Sequence, residues 1–351
     1  MFPYWLLFGF IAIGAAIKRP VDDRVVRYDP LLLTAFVIVA LMIGLRFHVG
    51  GDWWTYTRYY SFASLATFDQ IIKLDDPGYQ VLNWFVAQAG AGVWLVNLVC
   101  GAIFSWGLFR LVRLQPYPWL SLLIAVPYLI IVVAMGYSRQ GVAIGVLMAG
   151  TASLQRNNSI MRYAIYVAVA AVFHRTAVIG LPLLLVGGQR SWVINMLIGL
   201  GGTILLYDIL LADSIDRFVD NYVTAEMTSQ GALIRLAMCL VPAILFIRYR
   251  RRLGFEPAEE HIWRNMSYAT MALAAAFALA LGSTVIDRLA LYLLPLQLAV
   301  LPRMVGPLVA ARSGKLLIIF YCFAIQFVWL NFATNSGYWL PYQVYSFDGS
   351  T

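Results

Sequence analysis

Charge is what this sequence has least of. Asp, Glu, Lys and Arg make up 12% of its 351 residues, against 62% for the apolar types. A soluble domain carries about 25% charged and about 45–50% apolar residues. So little polarity cannot cover a water-facing surface, so lipid must be the solvent for most of the chain. Cysteine and histidine are equally scarce, at three each. Cys100, Cys239 and Cys322 each lie inside an apolar block, as small buried hydrophobes do, without the spacing of a disulfide framework or a zinc site. Three dispersed histidines and no Asp-x-Asp pair leave no metal signature. Acid is also short, and 17 Asp and Glu against 25 Lys and Arg give a net charge of +8. No basic stripe with interleaved aromatics appears, which sets nucleic acid aside. The excess fits cytoplasmic loops facing anionic membrane lipid. The start, Met1-Phe-Pro-Tyr-Trp5, has no basic residue ahead of its apolar run, which favours a first span with its N-terminus outside over a cleaved signal.

What remains is a series of apolar blocks of membrane-crossing length. They predict an all-α polytopic membrane protein, one transmembrane domain over 1–351 with about twelve spans. The spans fall near 2–17, 31–45, 92–109, 118–135, 137–154, 161–173, 176–188, 191–207, 231–247, 265–282, 289–301 and 315–333. Two larger outer segments, 46–91 and 208–230, interrupt them. With the N-terminus outside, only Arg46, Arg58, Lys73, Arg139, Arg175, Arg217, Arg235 and Arg288 fall outside or at outer span ends. The other basic residues lie in inner loops, as the positive-inside rule requires, and both termini are then outside. Two segments must be read with care to keep this parity. Gly78–Gly90 is a short re-entrant or surface helix rather than a span. Tyr163–Gly188 is a hairpin that breaks at His174-Arg175.

With that topology the polar residues hardest to explain as loop decoration all lie on the outer side. They are Arg46, His48 and Asp52 in GLRFHVGGDWWTY, Asp75-Asp76-Pro-Gly-Tyr79, Arg139-Gln140, His174-Arg175 and Asp287-Arg288. An arginine at the membrane centre costs about 2.5–3.5 kcal/mol and usually faces a cavity or a partner. Plainer roles compete: Arg46 snorkelling from its span end, Asp52 pairing with Arg58, and Asp287 with Arg288 forming an interfacial ion pair. His48 reads as interfacial, His261 as an inert inner-loop residue, and Asp213, Asp216, Asp220 and Glu226 as a solvated loop face. Arg139 and Arg288 open spans with almost no loop around them, a poor place for a solvated charge. Arginine's donor fork matches phosphate oxygens, and its charge does not titrate away. Fixed guanidinium groups stabilise the charge that grows on a leaving diphosphate. A neutral histidine or a carboxylate within reach takes the proton of an attacking sugar hydroxyl.

These residues resemble the EpsG-type family of exopolysaccharide polymerases, relatives of the Wzy-type O-antigen polymerases. Gly44-Leu45-Arg46-Phe47 through Asp52-Trp53 to Tyr56 is similar to the family's first motif. Asp76-Pro77-Gly78-Tyr79 is similar to the second, with Asp where Glu is commoner. Arg139-Gln140, then Phe173-His174-Arg175-Thr176-Ala177, then Arg288 with Tyr292 follow in order. Gly51 departs from the pattern, where a small hydroxylated residue is common. The resemblance implies a fold like the GT-C-type membrane glycosyltransferases. It also implies a transferase that needs no cofactor and polymerises polyprenyl-diphosphate-linked oligosaccharides at the outer face of the bacterial cytoplasmic membrane. Flippase or chain-length-regulator partners fit such a role. On this reading Arg139 and Arg288 hold the donor diphosphate with Arg46 assisting, and His174 is the general base with Asp52 as its substitute. Asp76, Tyr56, Tyr79, Tyr292, Gln140, Arg175 and Asp287 border the substrate. The rival readings are an O-antigen-ligase-like transferase in the same site, and a non-enzymatic transporter or flippase of lipid-linked sugars. A through-path would need polar residues along the full depth of the bundle, whereas the spans are largely apolar towards the inner side.

Overall fold

The computed structural model describes residues 1–21, 29–181, 201, 231–279 and 283–346. Helix α8 (Ser138–Asn157) runs through the middle and is buried along almost its whole length. Helix α6 (Val93–Val112) lies along it, and glycines set how close they come. A Cβ on Gly145 would stand 2.6 Å from the Cα of Phe104, and one on Gly107 would run into the Gly145 carbonyl. Small residues allow such backbone approach between helices in lipid. Helix α2 (Pro30–Gly44) packs on the far side of α6, and α9 (Ile160–Phe173) packs on α8. Helix α7 (Pro118–Ala125) widens into π turns over Val126–Ala134. Pro127 has no N–H for the carbonyl one turn back, a defect that such turns accommodate.

A second group of helices follows. Helix α10 (Ala232–Tyr249) packs against α11 (Pro257–Ala278), α12 (Ser283–Leu293) and α13 (Pro295–Arg303). Helix α14 (Ala311–Phe332) closes the bundle against α1 (Phe2–Ile17) and α7. Its Leu316, Leu317, Phe320, Phe323 and Phe327 point outward, an apolar stripe suited to lipid. Three described helices are long and apolar enough to cross a membrane, Val93–Val112, Ala232–Arg252 and Ala311–Phe332. Shorter apolar stretches are Phe2–Ile17, Pro30–Gly44, Pro118–Ala134 and Ile160–Phe173.

Most expected spans coincide with helices. The span expected over 289–301 does not, because Pro295 cannot continue the hydrogen-bonded ladder and the chain divides at Leu294 into α12 and α13. The span expected at 265–282 starts earlier, at Pro257, behind a capping box of Glu256 and Glu259. Beyond His174 the described chain makes a 3₁₀ turn, Arg175–Ile179. Most of the expected span 176–188, that at 191–207 and the acidic segment 208–230 lie outside the described residues.

The loops sort into two ends. At one end β1 (Arg46–Phe47) pairs antiparallel with β2 (Gln343–Val344). The Tyr4 hydroxyl donates to the Trp339 carbonyl at 2.9 Å, so the first and last described turns meet there. Three short helices cover this end, α3 (Trp53–Leu65), α4 (Phe68–Ile71) and α5 (Pro77–Gln88). At the opposite end the loops that carry Lys18, Arg113, Arg156 and Arg303 come together.

Candidate active site

Two aspartates head helices of the covering layer. Asp52 precedes α3 and Asp76 precedes α5, each at the N-cap, where Asp ordinarily accepts from an N–H of the first turn. Asp29 does so for α2, accepting from Leu31 and Leu32. Neither Asp52 nor Asp76 does. Asp76 adopts the left-handed backbone (φ 55°, ψ 56°), which Asp tolerates better than most residues with a Cβ. That conformation goes with a carboxylate directed at α8 and at the end of α9 rather than at its own helix.

There Asp76 Oδ2 accepts from Arg139 Nη1 at 2.7 Å and lies 3.2 Å from His174 Nδ1. Its Oδ1 accepts the backbone N–H of Arg175 at 3.0 Å. Burial alone would raise the Asp76 carboxyl. Hydrogen bonding and charge from His174, the Arg175 N–H and Arg139 outweigh it and hold the group below its usual value. Arg139 occupies the first turn of α8, where the helix dipole disfavours a cation. Asp76 offsets that, and the Tyr59 ring lies 5.1 Å from the guanidinium. Among the described residues Arg139 Nε, which is buried, has no hydrogen-bond partner. His174 ends α9 in extended backbone, its N–H held by the Ala170 carbonyl at 2.9 Å.

Asp52 shifts the other way. Burial raises its carboxyl, and Arg139, Arg288, Tyr56 and His174 counter this only in part. The charges of Arg139, Arg288 and His174 thus all act on the Asp52 carboxylate. Gln140 Nε2 donates to the Arg288 carbonyl at 2.9 Å, and Thr176 Oγ1 meets the Tyr292 hydroxyl at 2.8 Å. These two bonds tie α12 to the start of α8 and to the turn after His174. The Arg288 side chain is exposed and, among the described residues, makes no ion pair.

Other expected site residues fall elsewhere. Arg46 is 1% exposed, and its guanidinium donates to the carbonyls of Ile43 and Val49, to Asn97 Oδ1 (3.1 Å) and to Ser138 Oγ (2.6 Å). A fork so fully engaged has little left for a diphosphate, so contact with substrate does not fit Arg46. Asp287 pairs with Arg235 through both carboxylate oxygens, not with Arg288, its neighbour in sequence. Arg175 offers the cluster its N–H, while its guanidinium stands 3.7 Å from the exposed Asp75. Tyr56, Tyr79 and Tyr292 are buried; the Tyr56 and Tyr79 rings lie 5.4 Å apart, and the Tyr292 hydroxyl meets Thr176. Sequence reasoning missed Arg235, which also donates to the Tyr128 hydroxyl at 2.9 Å, and Tyr59. Arg235 carried the same signal as Arg139, a cation at the start of an apolar block.

Fold and cluster together define an α-helical membrane protein with converging ionic groups at one end of its bundle. The chain belongs to the EpsG family, whose model matches residues 30–344 and so takes in every residue of the cluster. No curated protein matches the chain, and no solved structure does.

Proposed function

We propose that this protein is a membrane glycosyltransferase that polymerises polyprenyl-diphosphate-linked oligosaccharide units into exopolysaccharide. The work is done at the outer face of the cytoplasmic membrane, in a chain of about twelve crossings. Membership of the EpsG family supports the polymerase reading. The observation that carries the chemistry is Asp76, which gathers Arg139 and His174 on one carboxylate.

With Nδ1–H donated to Asp76, the His174 ring keeps Nε2 as a free acceptor. It takes the proton of the acceptor-sugar hydroxyl as that oxygen bonds to the anomeric carbon of the donor. The bond from that carbon to the diphosphate oxygen breaks, and polyprenyl diphosphate departs with the electron pair. Arg288, which makes no ion pair among the described residues, meets the departing diphosphate, and Arg139 adds fixed positive charge beside it. Asp52, raised by burial, is the second basic group within range. Arg46 is a positioning residue: through Ser138 it fixes the first turn of α8, and with it Arg139.

The test is polymerisation in vesicles by purified protein given a lipid-linked repeat unit. The native protein should give a ladder of lengths, and folded R288A and H174A almost none. A ligase would pass the sugar to a different acceptor without a ladder, and a flippase would move the unit without joining it. Normal ladders from both variants would refute the role assignment.

A further inference from the structure

The end of the bundle opposite Asp76 holds a cavity of about 990 Å³. Helix α8 spans the distance. Arg139 opens it and Arg156 closes it, roughly 25 Å apart at 1.5 Å rise per residue. The basic side chains on the cavity are Lys18, Arg19, Arg113, Arg156 and Arg303. Two of them are answered, Lys18 by Asp29 at 3.2 Å and Arg303 by Glu259 at 3.2 Å. Arg113 and Arg156 make no ion pair among the described residues. Arg113 lies over the Phe109 ring at 4.7 Å. Burial, and then the like charge of Arg156, hold the Arg113 guanidinium below its usual value. Gln155, also on the cavity wall, buries both its amide nitrogen and its amide oxygen, and among the described residues neither has a hydrogen-bond partner. Arg113 and Arg156 thus line one cavity with no acid to answer them among the described residues, and with the Gln155 amide nitrogen on the same wall they offer donors that a shared anion would satisfy.

We infer that this cavity binds a phosphate group, with Arg113 and Arg156 on its oxygens and Gln155 Nε2–H as a further donor. Phosphate suits it because two guanidinium forks match a tetrahedral oxyanion with several acceptor oxygens. The oxygens belong either to a phospholipid headgroup of the adjacent leaflet or to a soluble phosphate compound. This site is separate from the Asp76 cluster and stands whether or not the polymerase chemistry does.

Native mass spectrometry of the purified full chain in zwitterionic detergent tests it. One arm titrates phosphatidylglycerol against phosphatidylcholine, and the other titrates inorganic pyrophosphate. The native protein should retain one equivalent in at least one arm, and which arm does so identifies the source. R113Q/R156Q should weaken retention about tenfold or more, and the charge-matched R251Q/R252Q less than about twofold. R113K/R156K keeps the charge but loses the forks and should weaken retention several-fold, so it decides the matter if the glutamine pair does not fold. Equal weakening by the two glutamine pairs, undiminished retention by the lysine pair, or no saturable retention by the native protein would overturn the site.

Discussion

Two ionic clusters, one around Arg303 and one around Asp76 at the opposite end of the bundle, use the same residue types differently. At the end opposite Asp76, Arg303 is buried and its guanidinium is answered. Glu259 lies 3.2 Å away, Gln115 and the Ala299 carbonyl accept, and the Phe255 ring is 4.3 Å from the guanidinium. At the other end Asp76 gathers Arg139, His174 and a backbone N–H, and among the described residues the half-buried Asp52 and the exposed Arg288 make no ion pair. The first arrangement joins α11 to α13 and is closed. The second leaves charge and proton-accepting capacity over, and uncompensated polar groups in a membrane protein are costly enough to point to function.

Substitutions should separate the two ends. The largest effect is expected at His174: H174A should slow polymerisation about 10³-fold, the usual scale for a general base, measured as initial rate in vesicles. R288A should follow with a loss of about 10²-fold. R303M/E259L, which replaces the Arg303–Glu259 pair by apolar side chains, should leave the rate per folded molecule within about twofold.

Stability comes next. D76N should cost about 3 kcal/mol, because it leaves the Arg139 guanidinium partly buried without its acid, and a lowered thermal midpoint would report it. The pH dependence has a definite sign. The Asp76 carboxyl is held below its unfolded value, so its contribution is full above about pH 4 and is lost as pH falls through the lower, folded value. The midpoint gap between native protein and D76N should therefore persist at neutral pH and close only in strong acid. Asp52 is the inverse case. Its carboxyl is raised in the fold, so ionising it there opposes folding above that value, and D52N should raise the midpoint slightly while slowing turnover. The smallest expected effect is that of a chelator, which should leave the polymerisation rate unchanged because arginines supply the positive charge.

Much of this was legible in the sequence, and unevenly. Apolar runs located α1, α2, α6, α7, α8, α9, α10 and α14, since lipid forces the pattern directly. The break at His174 followed from loop parity and holds in the structure. The division at Leu294 was missed, because Pro295 inside an apolar run reads as tolerable in a span until its neighbours are known. At the site, the residue types were legible but the pairings were not. Asp287 and Arg288 are adjacent in sequence, yet only Asp287 faces Arg235 across the helix packing. Arg46 looked like a ligand because arginine in an apolar context suggests one, and only the folded packing brings four acceptors around it. The central place of Asp76 depends on a left-handed backbone that no spacing announces.

The most direct test is of which end faces outward. Cysteine placed at the exposed positions 288 and 156, in a background lacking Cys100, Cys239 and Cys322, is treated in intact cells with a membrane-impermeant maleimide. Position 288 should label at once, and position 156 only after the membrane is permeabilised. Labelling of 156 but not 288 in intact cells would put the Asp76 cluster on the cytosolic side, where a polymerase working on exported, lipid-linked sugars has no substrate.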